Sequence, residues 1–294
     1  MDKIIRCITS DGAIMASAID ASDIVFTAQK LHHLSRSASA ALGRLLCATS
    51  MMGAMLKQKD ATINLRVMGD GELGPVIAVA DSKGNVKGYV GNSDCPTEYY
   101  NNGKINVAKA VGRNGVLNVM RDYGSGEPYI GQVELISGEI AEDITNYFAT
   151  SEQLPTVCAL GVLLDKENGD VMLAGGLLIQ LLPGADDNTI DKLEKNIEKL
   201  DPVTTMLAKD MSILDICKTA LEGFEVEVLD EYPVNYVCGC SKEKLERYFI
   251  TMSDEDIRSM ADEKGIAVAN CHFCNRKFVF TKQDLENLIA EKNA

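Results

Sequence analysis

The chain lacks a surplus of positive charge: its 294 residues carry 29 Lys or Arg against 43 Asp or Glu, for a net charge of −14. Phosphate neutralisation supplies most of the affinity of proteins that bind nucleic acid or anionic membranes, so this deficit argues against both classes. The acidic residues are spread along the chain, which is typical of a solubilising surface rather than of an acidic tail. We therefore expect neither a nucleic-acid partner nor a membrane partner.

The chain also lacks an apolar run suited to crossing a bilayer. The best candidate, residues 38–56, is interrupted by Arg44 and barely reaches the roughly 20 residues that a spanning helix needs. Its small residues allow close packing, which predicts a buried central helix. Met51, Met52 and Met55 are then gap-fillers in the core, and a Met-lined surface for unfolded client proteins is the alternative.

Signals for secretion, nucleotide binding and catalysis are missing as well. Nine cysteines without a signal peptide indicate a reducing compartment, so we expect a cytoplasmic protein without a full set of disulfides. Residues 69–74, GDGELG, resemble a dinucleotide loop only superficially, because a proline and a strand follow. His32 and His33 lie in a predicted helix without a nucleophile motif. We expect no enzymatic activity and no nucleotide cofactor.

The first part of the chain shows the apolar alternation of strands with a few interposed helices. Strands are predicted at 3–8, 13–19, 63–67, on both sides of a turn at 81–85, and at 115–121, 129–136, 157–164 and 171–180. Helices are predicted at about 27–33, 37–57 and 139–150, the last opened by Ser137 with Glu139 in its first turn. Runs of strands with few helices predict an α+β core domain, residues 1–182.

Short, highly charged helices are predicted in the next segment, residues 183–231. One covers about 187–200 and carries a narrow apolar stripe, and another follows Ser212 and ends near Gly223. Isolated helices of this length are marginal in water, so their order must come from docking onto another part of the protein. An ordinary helical linker and a segment poised to melt both remain open.

Two cysteine pairs mark the last segment, residues 232–294: Cys238 with Cys240, and Cys271 with Cys274. Thirty residues separate the pairs, which allows two knuckles to place four sulfurs around one ion. Thiolates at such spacing suit tetrahedral zinc, with Zn–S distances of about 2.3 Å. His272 lies inside the second pair, but four cysteines already complete a tetrahedron.

The rest of this segment has the outline of a small zinc ribbon. Predicted elements are a helix from Ser253 to Lys264, strands at 266–270 and 277–280, and a last helix capped by Thr281. Such a module is too small for much of a core, so its fold should depend on the metal.

Zinc-bound thiolates are also the form of sulfur that peroxide attacks. Because the spacing within each pair is short, little loop entropy opposes disulfide closure. Gly239 permits the bend that Cys238 and Cys240 need. The spacing alone leaves open a permanently metallated structural ribbon, the commoner kind of site. The five remaining cysteines are interpreted as unpaired, mostly buried thiols: Cys7, Cys47, Cys95, Cys158 and Cys217.

With its cysteine motifs YVCGCSKE (236–243) and CHFCN (271–275), the chain resembles the bacterial 33 kDa chaperonin family of redox-regulated heat-shock holdases. Further matching segments, in the same order, are His33-Leu34-Ser35, Leu42-Gly43-Arg44, Gly88-Tyr89-Val90, Glu127-Pro128-Tyr129, Gly138 to Ile144, Ser151-Glu152-Gln153 and Leu182 to Ala185. The resemblance covers essentially the whole chain. His272 departs from it, because the family commonly has an acidic residue there, and this difference bears on the oxidation threshold rather than on the ligands.

The resemblance implies a reduced, zinc-bound and inactive resting state, with Cys238, Cys240, Cys271 and Cys274 as ligands. Oxidation with mild unfolding would release the zinc, form the Cys238–Cys240 and Cys271–Cys274 disulfides and melt the helical linker. Apolar surface would then bind unfolding client proteins without ATP. The resemblance further implies an active homodimer and a response to oxidative stress and heat shock. The alternative remains a structural zinc-ribbon module without redox switching.

Overall fold

A computed structural model describes residues 1–293 of the chain. Two compact units make up the structure, Met1–Val237 and Cys238–Ala294. The first unit contains two antiparallel five-stranded sheets with helices against them, and the second contains a two-stranded hairpin with three helices. The α+β prediction is therefore confirmed.

The two sheets of the first unit are built from ten strands, most of which were predicted. These are β1 (Lys3–Thr9), β2 (Ile14–Asp20), β3 (Thr62–Met68), β4 (Val76–Asp81), β5 (Val86–Val90), β6 (Val116–Asp122), β7 (Tyr129–Glu134), β8 (Thr156–Leu164), β9 (Val171–Leu181) and β10 (Val226–Pro233). The first sheet has the order β10-β1-β2-β9-β8, and the second has the order β5-β4-β3-β6-β7. Strand β10 was not predicted, although it forms an edge of the first sheet.

Seven α-helices accompany the sheets of the first unit. They are α1 (Ser22–His32), α2 (Arg36–Ala54), α3 (Val107–Val111), α4 (Ala141–Tyr147), α5 (Asp187–Glu198), α6 (Val203–Ala208) and α7 (Ile213–Ala220), with a π-helical turn at Phe148–Glu152. Helices α3 and α6 were not predicted. Among residues 1–293, none of the helices is long and apolar enough to cross a membrane.

Helix α2 is buried nearly throughout and contacts both sheets. A Cβ at Gly43 would lie only 2.6 Å from a methyl group of Val25, and one at Gly53 only 2.6 Å from the carbonyl oxygen of Asp81. The helix therefore approaches its neighbours more closely than larger residues permit. Met51 and Met52 are buried in this core and Met55 is partly buried against it, as expected of residues that fill gaps in a core.

The prediction for the start of α4 was wrong. Ser137 and Glu139 precede the helix, and the buried Asp143 organises its N-terminus by accepting backbone N–H bonds from residues 136, 137, 138 and 140. Glu139 instead forms an ion pair with Arg44 of α2 and accepts hydrogen bonds from Tyr100 Oη and the Ala108 amide. Burial opposes ionisation of Glu139, but Arg44 and these donors hold its pKa below the usual range.

Helices α5, α6 and α7 belong to the segment predicted as a linker, and in the structure they are part of the first unit. They lie on the face of the first sheet opposite α1 and α2, where they form a second apolar cluster with β1, β2 and β9. Sheet residues Ile5, Ile14, Leu177 and Ile179 are each at most 1% exposed there. The docking that short, charged helices require is thus provided by an apolar sheet face.

The second unit contains α8 (Lys242–Phe249), α9 (Asp254–Ser259), a hairpin of β11 (Ile266–Asn270) and β12 (Lys277–Thr281), and α10 (Lys282–Lys292). Ser253 and Thr281 cap α9 and α10 as predicted. Helix α9 ends earlier than predicted, because Asp262 turns the chain by accepting hydrogen bonds from the amides of Gly265 and Ile266. The unit has a small core, in which Phe249 meets Phe280 edge to face at 5.0 Å between ring centroids.

Candidate metal centre

The four cysteines of the two pairs come together at one point of the second unit. The Sγ atoms of Cys238, Cys240, Cys271 and Cys274 all lie within 4.8 Å of one another, and all four residues are partly buried. Two contacts across the pairs are 3.6 Å between the sulfurs of Cys238 and Cys271, and 3.4 Å between those of Cys240 and Cys274. Among the described residues, this is the cluster of ligands that could hold a metal ion.

The second knuckle is the tip of the β11–β12 hairpin. The Cys271 amide donates to the carbonyl of Arg276 at 3.0 Å, and the Asn275 amide donates back to the Cys271 carbonyl at 2.8 Å. Asn275 adopts a left-handed backbone conformation, with φ of 55°, which asparagine tolerates better than most residues. The turn thereby holds Cys271 and Cys274 on one side of the hairpin end.

The first knuckle leads directly into the N-terminus of α8. Ser241 caps this helix by accepting from the Lys244 amide, and the Lys244 ammonium donates to the Gly239 carbonyl at 2.7 Å. Both the helix end and the ammonium group place positive charge near the first pair, where it favours thiolate. A Cβ at Gly239 would meet only the Lys244 ammonium, at 3.4 Å, so the folded knuckle itself does not require glycine at this position.

The thiols of the cluster differ in acidity. Burial raises the pKa of Cys240 to about 12, and the hydrogen bond to Cys274 acts in the same direction. Burial also raises the pKa of Cys238. Burial acts upward on Cys271 too, but hydrogen bonds from the Phe273 amide and the Cys238 thiol outweigh it and lower the pKa of Cys271. A cation bound by the sulfurs would favour the thiolate form of all of them.

His272 is exposed, and its ring is not one of the clustered ligand groups. The other histidines have structural roles. The His32 ring lies 3.2 Å from Tyr236 Oη, and His33 ends α1 in a left-handed conformation with its amide bonded to the Gln29 carbonyl. The glycine loop at 69–74 joins β3 to β4, where a Cβ at Gly71 would meet the Ala110 carbonyl oxygen at 2.2 Å.

The remaining five cysteines are free and lie in the first unit, four of them buried and Cys158 partly buried, as predicted. Sequence reasoning missed that Cys7 and Cys217 are fully buried members of the same apolar cluster on one face of the first sheet. It also missed how the chain is anchored just before Cys238. Tyr236 Oη donates to the Gly88 carbonyl at 2.9 Å, and the backbone of residues 235–237 hydrogen-bonds to Val86. The tyrosine next to the cysteine motif was the available signal for this anchor.

Known proteins are similar to this chain over almost its whole length. The sequence model of the family described as Hsp33 protein matches residues 2–281. A 33 kDa chaperonin of Acetivibrio thermocellus is 46% identical over 288 residues, covering 98% of this chain and 97% of the relative. A 33 kDa chaperonin of Clostridioides difficile is 42% identical over 290 residues, covering 99% of each chain.

A solved structure shows the same fold. The crystal structure of the 33 kDa chaperonin of Thermotoga maritima matches with a TM-score of 0.90 at 31% identity, covering 99% of this chain and 98% of the other. The sequence matches and the structure match therefore indicate the same family as the motifs around the four clustered cysteines. On these matches, the chain belongs to the Hsp33 family.

Proposed function

We propose that this chain is a redox-regulated holdase, an ATP-independent chaperone that keeps unfolding and oxidatively damaged proteins from aggregating. Its reduced form binds one zinc ion and is inactive, and its oxidised form carries disulfides and is active. Family membership supports the chaperone activity. The cysteine cluster and the helices on the first sheet support the way in which it is switched.

Zinc is the metal that the ligand set favours. Four sulfurs at about 2.3 Å from a tetrahedral zinc lie about 3.8 Å from one another. The observed separations of 3.4 and 3.6 Å, all within 4.8 Å, need only small adjustments to reach this geometry. We propose Cys238, Cys240, Cys271 and Cys274 as the ligands. Since zinc contributes about 10–16 kcal/mol to the folding of small modules, its loss would outweigh what the small core of this unit supplies.

Oxidation would replace the metal with disulfides. For each pair, one hydrogen peroxide takes two electrons from two thiols, and the products are one disulfide and two water molecules. We propose the local pairs Cys238–Cys240 and Cys271–Cys274, and the support for this choice is the family resemblance. The sulfur positions alone permit cross-pairing as well, because Cys238 lies 3.6 Å from Cys271 and Cys240 lies 3.4 Å from Cys274.

The observation that carries the proposal is the apolar sheet face under α5, α6 and α7. These helices have 12, 6 and 8 residues, lengths at which isolated helices are marginal in water. Melting them would uncover Ile5, Ile14, Leu177 and Ile179, which are buried in the folded chain. A continuous apolar surface of this kind is what an unfolded client would bind.

The same reasoning supports a functional division into three parts. We propose residues 1–182 as the client-binding core, 183–231 as the metastable linker and 232–294 as the zinc-binding switch. Strand β10 (Val226–Pro233) crosses the boundary between the proposed linker and the proposed switch. It pairs with β1 over Lys3–Thr9. We further propose, from the family relationship, a homodimeric active form and a cytoplasmic location.

Light scattering from a heat-unfolding client tests the switch directly. The reduced zinc-loaded protein should protect the client poorly, and the protein treated with peroxide at raised temperature should protect it well. Equal protection by both forms would support the structural zinc ribbon instead.

Zinc release, followed with a chromophoric chelator, should keep pace with thiol loss, and disulfides should be mapped afterwards. Cys271→Ser should abolish the response to peroxide, whereas the matched control Cys95→Ser, at a buried cysteine of the first unit, should respond like the natural protein. Retention of zinc during thiol loss, or a normal response of Cys271→Ser, would contradict the proposed site.

A further inference from the structure

A second pair of cysteines lies outside the zinc-ligand motifs, in the first unit. Cys7 is on β1 and Cys217 is on α7, with 209 residues between them. Both are fully buried members of the apolar cluster between the first sheet and the linker helices. This pair therefore bridges the sheet and the segment that is proposed to melt.

The two sulfurs meet because each lies on the apolar face of its element. Along β1, Ile5 and Cys7 face the cluster under the linker helices, whereas Ile4 faces the cluster under α1 and α2. On α7 the buried residues follow helical spacing, and Cys217 is one of them. Helix α7 contacts both β1 and β2, and the Cys7 and Cys217 side chains lie near enough to perturb each other's ionisation.

The interaction between the two thiols makes them unequal. The Cys217 thiol lowers the pKa of Cys7 despite its burial, and Cys7, together with burial, raises the pKa of Cys217. The Lys218 charge also favours the Cys7 thiolate. Cys7 therefore has the properties of an attacking sulfur, and Cys217 those of the sulfur that resolves the product.

We propose that Cys7 and Cys217 are a second redox pair, which hydrogen peroxide converts into a buried disulfide that ties α7 to β1. The Cys7 thiolate attacks one peroxide oxygen and breaks the O–O bond, which gives a sulfenic acid and hydroxide. The Cys217 sulfur then attacks the Cys7 sulfur, breaks its S–O bond and releases the second oxygen as water. Overall two thiols lose two electrons and two protons, and one peroxide becomes two water molecules.

Burial controls when this bond forms. With both sulfurs inaccessible in the folded chain, peroxide reaches them only during brief local openings of α7, which is one of the shorter helices. Once α7 has melted, Cys217 moves with it and the partners separate. The disulfide therefore forms when oxidation precedes melting, and it then keeps α7 on the sheet.

Formation of the bond is independent of the zinc site, but its effect on activity rests on the proposed function. If melting of the linker uncovers the client surface, a tether between α7 and β1 opposes activation. Oxidation without heat would then yield a chain that is slower to activate than the same chain without Cys217.

The test uses the full chain and the variants Cys7→Ala, Cys217→Ala and Cys95→Ala. Each is treated with hydrogen peroxide at a temperature below that of linker melting, its free thiols are blocked, and the non-reduced peptides are mapped by mass spectrometry. A peptide containing the Cys7–Cys217 disulfide is expected in the natural protein and in the Cys95→Ala control, and in neither of the other variants. Its absence from the natural protein would overturn the pair.

The tether is tested by proteolysis of the linker across a urea series. The oxidised natural protein should require more urea for cleavage within residues 183–231 than oxidised Cys217→Ala, with cleavage about tenfold slower at a urea concentration where both are cut. Equal urea dependence would overturn the tether. Failure of the proposed function has a different signature: peroxide-treated Cys217→Ala would keep its linker uncleaved without urea even after warming to the temperature at which the linker is proposed to melt. Cys7→Ala also removes the proposed disulfide, so it can replace Cys217→Ala in both experiments if Cys217→Ala does not fold.

Discussion

Ile216 is fully buried in the stripe through which α7 contacts the first sheet. Ile216→Ala removes part of this contact, and truncation of a buried isoleucine to alanine costs about 2–5 kcal/mol. Since every 1.4 kcal/mol is about a factor of ten in an equilibrium constant, local opening of α7 should become roughly thirty- to several-thousand-fold more frequent. Helix α7 has only 8 residues, so it has little intrinsic stability with which to resist this loss.

We therefore expect Ile216→Ala to be partly active as a chaperone while reduced and zinc-bound. Its linker should be cleaved by protease within residues 183–231, and it should suppress light scattering from a heat-unfolding client without peroxide. Ile216→Val, which costs about 0.5–1.5 kcal/mol, should fall between this variant and the natural protein. Lys218→Ala, an exposed position on the same helix, should behave like the natural protein.

One result would refute the reasoning. If reduced Ile216→Ala is cleaved rapidly within the linker and still gives no protection, then uncovering this sheet face is not enough to bind clients. The zinc content of the variant must be measured in the same preparation, because loss of metal would activate the chain by the other route.

Three further predictions concern other parts of the chain. Gly239→Ala should leave zinc affinity within about twofold of the natural value but slow formation of the Cys238–Cys240 disulfide, because glycine allows the bend that the folded knuckle does not need; unchanged disulfide kinetics in a thiol-loss assay would contradict this. Asp143→Ala leaves the amides of residues 136, 137, 138 and 140 without their acceptor, and it should destabilise the first unit by at least about 2 kcal/mol in urea unfolding; an unchanged urea midpoint would show that these amides find other partners. Burial raises the pKa of Asp2 from 3.8 to about 6. The protonated group therefore contributes to the stability of the folded chain below the unfolded pKa, and this contribution is lost as the pH rises through 6. The melting temperature should therefore fall between about pH 4 and 6, and Asp2→Asn should remove this component; a parallel profile for the variant would contradict it.

The elements that were predictable are those whose local pattern agrees with their place in the fold. The hairpin of β1 and β2 and the knuckle strands β11 and β12 alternate clearly or flank turn residues, and Ser253 and Thr281 cap helices as their sequence context predicts. Strand β10 has no such pattern, because Glu227, Asp230 and Glu231 interrupt its apolar residues. Its place follows from β1, where Arg6 and Lys3 pair with Asp230 and Glu231.

The cysteine cluster was predictable because its chemistry is encoded in two short motifs. The proximity of Cys7 and Cys217 was not predictable, because neither residue has a second cysteine nearby in sequence. It depends on α7 docking onto the sheet. Glu139 illustrates the same limit. The sequence placed it in the first turn of α4, where a carboxylate suits the helix dipole, but it precedes the helix and forms an ion pair with Arg44 of the buried helix α2 instead.

The connectivity of the disulfides decides whether oxidation loosens the second unit or holds it closed. Cross-pairing of Cys238 with Cys271 and of Cys240 with Cys274 would join the two knuckles covalently, and oxidation would then hold the second unit closed much as zinc does. Local pairing leaves no bond between the knuckles, so loss of zinc leaves only the small core around Phe249 and Phe280 to hold the unit together. Since the sulfurs of Cys238 and Cys271, and those of Cys240 and Cys274, lie close enough to cross-pair, a switch is favoured if the knuckles move apart before the second sulfur is oxidised. Mild unfolding would supply that movement, which gives a physical reason for a chaperone of this design to need heat together with peroxide.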